Sequence, residues 1–342
     1  MNTSDNYLFN ADWYSWQNPD WRTSYDTPYA HYYEKGRFEN RDPSPMIDMK
    51  RYGEMVGDTI QPQDRLSAIR NGLRSPALGV YETWADLDKA QNDFLSAISV
   101  VCVRDDRTDL NHRNLVFLQA GPQSCHRDWY KDTPRSWDLL VNYYDAGGFD
   151  EGFGDIIFFQ AGTKFTAIHN ILTKFPDILT NYDYILFLDD DIGVSMSSLD
   201  ALFNACTRYG LDLAQMALSD RSHCIWECVF ARGRNGLRHL NCVEIMMPVM
   251  SQRVIRLCRD VFGKSISGFG LDLLISKKIA NADYTNIAII DDIVVDHLKP
   301  IDDSDGRYYS YLRSRHINPK AELWRFIQTE KIDRKIREII NG

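Results

Sequence analysis

Three consecutive aspartates, Asp189, Asp190 and Asp191, follow the apolar run Tyr184 to Leu188 in the segment YDYILFLDDDIGV. A run of this kind reads as a buried strand, and in open α/β sheets ligands bind beyond the carboxyl ends of the strands. Three adjacent carboxylates repel one another unless a cation or hydrogen-bond donors compensate them. Oxygen ligands suit magnesium or manganese, which commonly bridge carboxylates to substrate phosphates. The cluster therefore reads as an anchor for a diphosphate. The bland alternative is an acidic turn that caps a helix over Ser195 to Leu202, but a cap uses one acid and not three.

Two further segments carry chemistry-bearing residues. In SGFGLD, Ser267 to Asp272, glycines allow close backbone approach and a lone carboxylate follows, which either reacts or opens a helix. In AIIDDIVVDHL, a short apolar strand precedes Asp291, Asp292, Asp296 and His297, an acidic setting that suits His297 as a metal ligand. Cys224 and Cys228, with His223 beside them, resemble half of a zinc site, but no second ligand pair follows at suitable spacing. The seven cysteines are odd in number and scattered, which fits reduced thiols buried as small hydrophobes.

Positioning these groups requires a sheet. Apolar runs at Leu115 to Gln119, Trp137 to Tyr143, Asp155 to Phe159, Tyr184 to Leu188, Leu213 to Ala217 and Ala288 to Ile290 predict strands, and Lys164 to Phe175 repeats its apolar residues at helical spacing. Alternation of strand and helix predicts an α/β domain with a mostly parallel sheet flanked by helices over residues 106–300. Ahead of it, residues 1–60 crowd aromatic residues among prolines, and the same rings that can stack on sugars more often fill a small core. Residues 61–105 read as a helical linker. Residues 301–342 form a C-terminal helical extension whose stretch Ala321 to Ile340 predicts a basic amphipathic helix. Such a helix packs on its own domain or makes peripheral contact with an anionic membrane. The net charge of -9 argues against nucleic acid as a partner. No secretory signal and no run of about 18 apolar residues is visible, so the expected compartment is the cytoplasm.

The three motifs, in this order, resemble the GT-A class of glycosyltransferases, a Rossmann-related fold in which a DxD motif binds the metal and the nucleotide diphosphate. More narrowly, residues 113–298 resemble the domain-of-unknown-function 707 family through SWDLLVNYYD, GTKFTAIHNIL, YDYILFLDDDIGV, VEIMMPVMS, GFGLD and IAIIDDIVVDH. That family generally has Trp where this chain has Phe269 and Glu where it has Asp190; neither change removes a proposed functional group. The aromatic segment, with Asp-Trp-Tyr, Asn-Pro-Asp and Arg-Asp-Pro-x-Pro, resembles modules found beside bacterial polysaccharide-assembly glycosyltransferases.

The resemblance implies a soluble, manganese- or magnesium-dependent enzyme that moves a sugar from a nucleotide-sugar donor to an oligosaccharide or glycolipid acceptor, with inversion, in building a bacterial surface polysaccharide. It implies Asp189 and Asp191 as metal and donor contacts, Asp191 as the direct ligand, and His297 completing the coordination. Asp190, Lys164, Arg232 and Arg234 are implied donor or phosphate contacts. Asp272 is implied as the base, with Glu244 in reserve. Two rivals remain at this level. One is a phosphatase of the haloacid dehalogenase type, with Asp189 as nucleophile and Asp291-Asp292 as its late acidic pair. The other is a non-catalytic carbohydrate-binding protein.

Overall fold

The computed structural model describes residues 7–107, 112–131, 133–233, 236–284, 286–300 and 306–339. The chain divides into two compact units, Met1–Phe94 with Asp302–Thr329, and Leu95–Ile301 with Glu330–Gly342. The aromatic segment, most of the expected linker and the start of the expected C-terminal extension thus share one unit.

That unit is built of short helices whose starts are set by side-chain caps. Asn10 accepts from Trp13 N–H at 2.9 Å and Asp48 from Arg51 N–H at 2.8 Å, each meeting an amide the first turn cannot satisfy. Trp13, Tyr14 and Tyr32 cluster with Trp324 and Ile327, while Tyr52 joins Leu8, Ile47, Met49, Ile69 and Val80 in a second cluster. Trp13, Tyr14, Tyr32 and Tyr52 are therefore core, whereas Tyr29 and Tyr33 stay exposed. Trp324 and Ile327 belong to the helix Pro319–Glu330, which ends well before the expected limit at residue 340 because Lys331 adopts a left-handed φ of 52°. Beyond it the chain is not helical, and a bridge from Leu240 to Glu338 draws the segment onto the other unit's own sheet region. The basic residues Lys331, Arg334, Lys335 and Arg337 consequently share no helical face, which removes the basis for a membrane-lying helix. No helix of the described residues is long and apolar enough to cross a membrane.

The second unit holds one large sheet. Its strands are β1 (Val101–Asp105), β2 (Asn114–Ala120), β3 (Asp138–Tyr143), β4 (Ile156–Phe159), β5 (Tyr184–Leu188), β6 (Ile192–Gly193), β7 (Leu213–Leu218), β8 (Leu237–His239), β9 (Val249–Ser251) and β10 (Ile287–His297). Their order is β1-β4-β3-β2-β5-β9-β7-β10-β6, with β8 also pairing β10. Strands β2, β3, β4 and β5 are mutually parallel, and β9 is antiparallel to both β5 and β7, so β7 and its parallel partner β10 point the same way as that group. Strands β2, β3, β5 and β7 are buried almost throughout, as strands covered on both faces must be. The helix Lys164–Lys174, opened by a Thr163/Thr166 capping box, crosses between β4 and β5 and buries Phe165, Ile168, Ile171 and Leu172.

The six strands read from sequence all exist. The most altered is the last, expected at Ala288 to Ile290 but running on to His297. The short β6, β8 and β9 have too few residues to show a period and were not anticipated, nor was β1, whose inclusion starts this unit before the expected boundary. The chain runs outward through β2, β3 and β4 and then returns to place β5 beside β2. That reversal makes the β2/β5 junction the topological switch point, where doubly wound sheets leave a crevice.

Candidate functional site

The aspartate cluster leaves β5 at this switch point. Leu118 pairs with Leu188, so the turn after β2 and the acids after β5 lie side by side. Asp190 faces inward. Its Oδ2 accepts from Gly121 N–H at 3.1 Å and from the Tyr144 hydroxyl at 3.0 Å, while its carbonyl takes Cys125 N–H at 2.8 Å. The acid expected to contact the donor is thus occupied in tying together the ends of β2, β3 and β5, and burial pushes its carboxyl up. Nor do the acids cap the next helix: Ser195 does, accepting from Ser198 N–H at 3.1 Å. That disposes of the bland alternative.

Asp189 and Asp191 flank this tether. Asp189 Oδ1 lies 2.7 Å from Lys164 Nζ, which also donates to the carbonyls of Ile245 at 2.6 Å and Met246 at 3.2 Å. An ammonium has three donors, and all three of Lys164 are spent. Lys164 therefore positions Asp189 and is not a free phosphate contact. The surrounding protein still pushes Asp189 up to about 6, with Lys164 opposing and Asp191 adding, although the side chain keeps 37% of its surface open.

Asp191 Oδ1 faces His297 Nε2 across 3.5 Å, from the adjacent end of β10. The other ring nitrogen, Nδ1, bonds the carbonyl of His223. A carbonyl demands an N–H, so a neutral ring would turn its Nε2 lone pair on a carboxylate. Such a pair is stable only with a proton or a metal cation between them. Without a cation the proton is the answer: burial works against the charged ring, but the bonds to Asp191 and His223 outweigh it and lift His297 to about 9. Burial likewise raises Asp191, yet His297 and Lys299 draw it below the usual range. A carbonyl-oriented imidazole beside a carboxylate is also how metal-binding histidines are held, so these two residues fit a hard cation that takes its remaining ligands from phosphates and water. Among the described residues no group of three or more His, Cys, Asp or Glu is arranged to hold a metal by protein alone, and that includes His223 with Cys224 and Cys228.

The two candidate bases lie on the same side. Residues 244–246 run beside Asp189, whose N–H donates to the Met246 carbonyl at 2.9 Å. Glu244 is fixed by Met246 N–H, which donates to Oε2 at 2.5 Å, and by its own N–H on the buried Gln215 Oε1 at 2.6 Å. Burial, then the negative charge of Asp272, pushes Glu244 up to about 7. Asp272 sits in the first turn of the helix Leu271–Asn281, and burial pushes it up to about 6 against the bond from Leu273 N–H. The glycines before it serve the turn itself: Gly268 and Gly270 have φ of 80° and 78°, and a Cβ on Gly268 would meet Phe165 at 2.9 Å. Glu244 is thus within electrostatic reach of Asp189, and Asp272 within reach of Glu244.

The remaining expected residues have other partners or lie outside the described residues. Arg232 pairs with Glu338 at 2.7 Å, and Arg234 lies outside the described residues. Asp291 forms a buried, two-pronged pair with Arg238 at 2.5 and 2.9 Å, and Asp292 accepts from Gly236 N–H at 3.0 Å. The phosphatase reading loses its late acidic pair to these internal bonds, and the strand that bears Asp189 follows four others.

No family model and no curated protein matches the chain, so the family resemblance rests on the quoted motifs alone. Among solved structures, S. aureus TarS 1–349 in complex with UDP-GlcNAc is similar over 58% of this chain and 60% of that one, with 11% identity and a TM-score of 0.36. The same protein in complex with UDP is similar over 64% of this chain and 73% of that one, with 10% identity and a TM-score of 0.36. The chain spans about 60% of the first of these.

Three participants escaped the sequence reading. Tyr144 and Gly121 are recognisable only once β2, β3 and β5 are known to be neighbours. Lys299 stood in plain view two residues after His297, and its proximity to a motif was the available signal.

Proposed function

We propose that this chain is a metal-dependent glycosyltransferase of the GT-A type, taking a nucleotide-sugar donor and transferring the sugar to a carbohydrate acceptor. What supports the reading is that Asp189, Asp191 and His297 meet at the carboxyl end of the sheet beside its switch point, with Glu244 near Asp189 and Asp272 near Glu244. Burial pushes the carboxyls of Asp189, Glu244 and Asp272 up to about 6 or 7, and for Asp189 and Glu244 neighbouring acids add to it. A site like this has a standing affinity for cations and for the positive centre that develops at a sugar's anomeric carbon.

Asp191 and His297 would hold manganese or magnesium, which when bound offsets the charge on a departing diphosphate. Lys164 keeps Asp189 in place at the crevice edge. Asp272, with Glu244 as the alternative, accepts the proton of the acceptor hydroxyl as the new bond forms; both have pKa values close to neutrality, where a general base works best. Assembly of a surface polysaccharide is the context that the aromatic module's resemblance suggests.

The test is a thermal-unfolding panel of nucleotides and nucleotide sugars with and without manganese. A ligand at about 100 times its Kd stabilises the folded state by about 2.7 kcal/mol. Stabilisation by one nucleotide series only when manganese is present is the expected result; a metal-independent or absent response across the panel removes this reading.

A further inference from the structure

Two of the implied phosphate contacts, Lys164 and Arg232, already have acid partners. Lys164 is buried with all three of its donors spent, and Arg232 is paired with Glu338. Lys299 is differently placed. Its Nζ lies 3.3 Å from Asp190 Oδ1 and 4.0 Å from Asp191 Oδ2, and 43% of its side chain is exposed. The backbone beneath it is anchored, since Leu298 N–H donates to the Asp191 carbonyl at 2.9 Å. A fixed stem therefore carries a partly open ammonium to the edge of the acid cluster.

Each carboxylate has a partner besides that ammonium. Asp190 already has Gly121 N–H and the Tyr144 hydroxyl, and Asp191 already faces His297. Both contacts of Lys299 are longer than a close charge-assisted bond of about 2.7–2.9 Å. The side chain is a compact charge on a flexible four-carbon stem, so it can change partners at little cost.

We propose that Lys299 is a contact for the donor's diphosphate. In the free protein it balances the charge of Asp190 and Asp191. With a nucleoside diphosphate and a divalent cation bound, Asp191 and His297 would hold the cation, and Lys299 would turn from the carboxylates onto the diphosphate oxygens. In transfer, the acceptor oxygen bonds the anomeric carbon, its proton passes to the carboxylate base, and the bond from that carbon to the phosphate oxygen breaks. The electron pair leaves with the diphosphate, and Lys299 offsets the charge that appears there. The inference rests on reading the crevice as a nucleotide-sugar site.

The experiment is calorimetric titration of wild type, Lys299→Met and Lys299→Arg with a set of nucleoside diphosphates in manganese, with the matching nucleosides as competitors. Lys299→Met is expected to weaken diphosphate binding about tenfold, the size of one charge-assisted contact, while nucleoside binding is unchanged and Lys299→Arg recovers most of the loss. Manganese alone should bind Lys299→Met at least as tightly as wild type. Diphosphate affinity equal to wild type in Lys299→Met, or an equal loss for diphosphate and nucleoside, overturns the role of Lys299 and leaves the donor reading standing. No diphosphate bound by the wild type overturns both.

Discussion

The chain carries two dense groups of aspartate, Asp189 to Asp191 after β5 and Asp291, Asp292 and Asp296 in β10, and their surroundings differ in kind. In the second group each acid has its own answer. Asp291 has Arg238, Asp292 has the Gly236 amide, and Asp296 has Ser219 and, at 2.8 Å, Arg221. The strand itself yields to make this possible: against β7 the register jumps from Ile290 to Val294, and the skipped residues include both Asp291 and Asp292. In the first group three carboxylates share Lys164, His297 and Lys299 with Glu244 and Asp272 close by, and Asp189 and Asp190 are both raised. Acid density is thus a poor guide to function. What separates the two groups is that the second ties each acid to a partner of its own, whereas the first shares Lys299 between Asp190 and Asp191 and leaves 37% of the Asp189 side chain exposed.

If that distinction is right, the largest single effect belongs to Asp191. Asp191→Asn should lower transfer by about 10³-fold or more, since a metal's contribution to a leaving group is worth several kcal/mol. It should also abolish manganese-dependent nucleotide stabilisation, and lower the melting temperature of the free protein because His297 loses its partner. Initial rates across a manganese titration decide the matter, and turnover near wild type would place any cation elsewhere.

Next come the two bases, where Asp272→Asn and Glu244→Gln sharpen the assignment within the first group. Loss of the true base should cost about 10²- to 10⁴-fold in rate while sparing nucleotide binding. A base must be ionised, so activity should fall as pH drops through about 6 if Asp272 serves, or through about 7 if Glu244 does. Stability moves the other way. Both carboxyls are raised in the folded state, so what they contribute is present below their unfolded values and lost as pH rises through the folded ones. Glu244→Gln should therefore raise the melting temperature more at pH 8 than at pH 5, and a shift equal at both would contradict the uncompensated charge inferred here.

The sequence showed a good deal of this, and the losses have physical causes. Leu115 to Gln119 and Tyr184 to Leu188 were readable because strands buried on both faces are continuously apolar. β9, only Val249–Ser251, was not, although by its antiparallel insertion between β5 and β7 it completes the sheet. Asp191 and His297 were readable as candidates because apolar strand-like runs precede them, whereas the inward turn of Asp190 depends on Gly121 and Tyr144, which are 69 and 46 residues away in the chain. Arg232 shows the same dependence: its partner Glu338 comes from the far end of the chain, which spacing near the motifs could not show. Spacing reveals which residues could react, but a partner distant in sequence decides which are free to.

The second group should respond through stability instead. Arg238 and Asp291 are both nearly fully buried, and Arg238 also donates to the carbonyls of Cys228 at 2.7 Å and Phe230 at 2.9 Å. Arg238→Met strands a carboxylate in the interior and should cost about 3–5 kcal/mol, read as a lower denaturant midpoint. Adding Asp291→Leu should recover part of it. A double variant no more stable than the single one would mean that the pair is not what holds β8 to β10.

The smallest effect tests the comparison hardest. Arg221 is exposed over 78% of its side chain, and its bond to Asp296 belongs to the class worth about 0.2–1 kcal/mol. Asp296 keeps Ser219 when the guanidinium is gone, and Ser222 still accepts the His297 N–H at 2.9 Å, so the backbone that sets His297 is undisturbed. Arg221→Ala should accordingly leave both the melting temperature and the transfer rate nearly at wild-type values, measured at low salt where an exposed pair counts most. A large drop in rate from so exposed a change would show that charge from the second group reaches the crevice, and the two groups of acids would then have to be treated as one site.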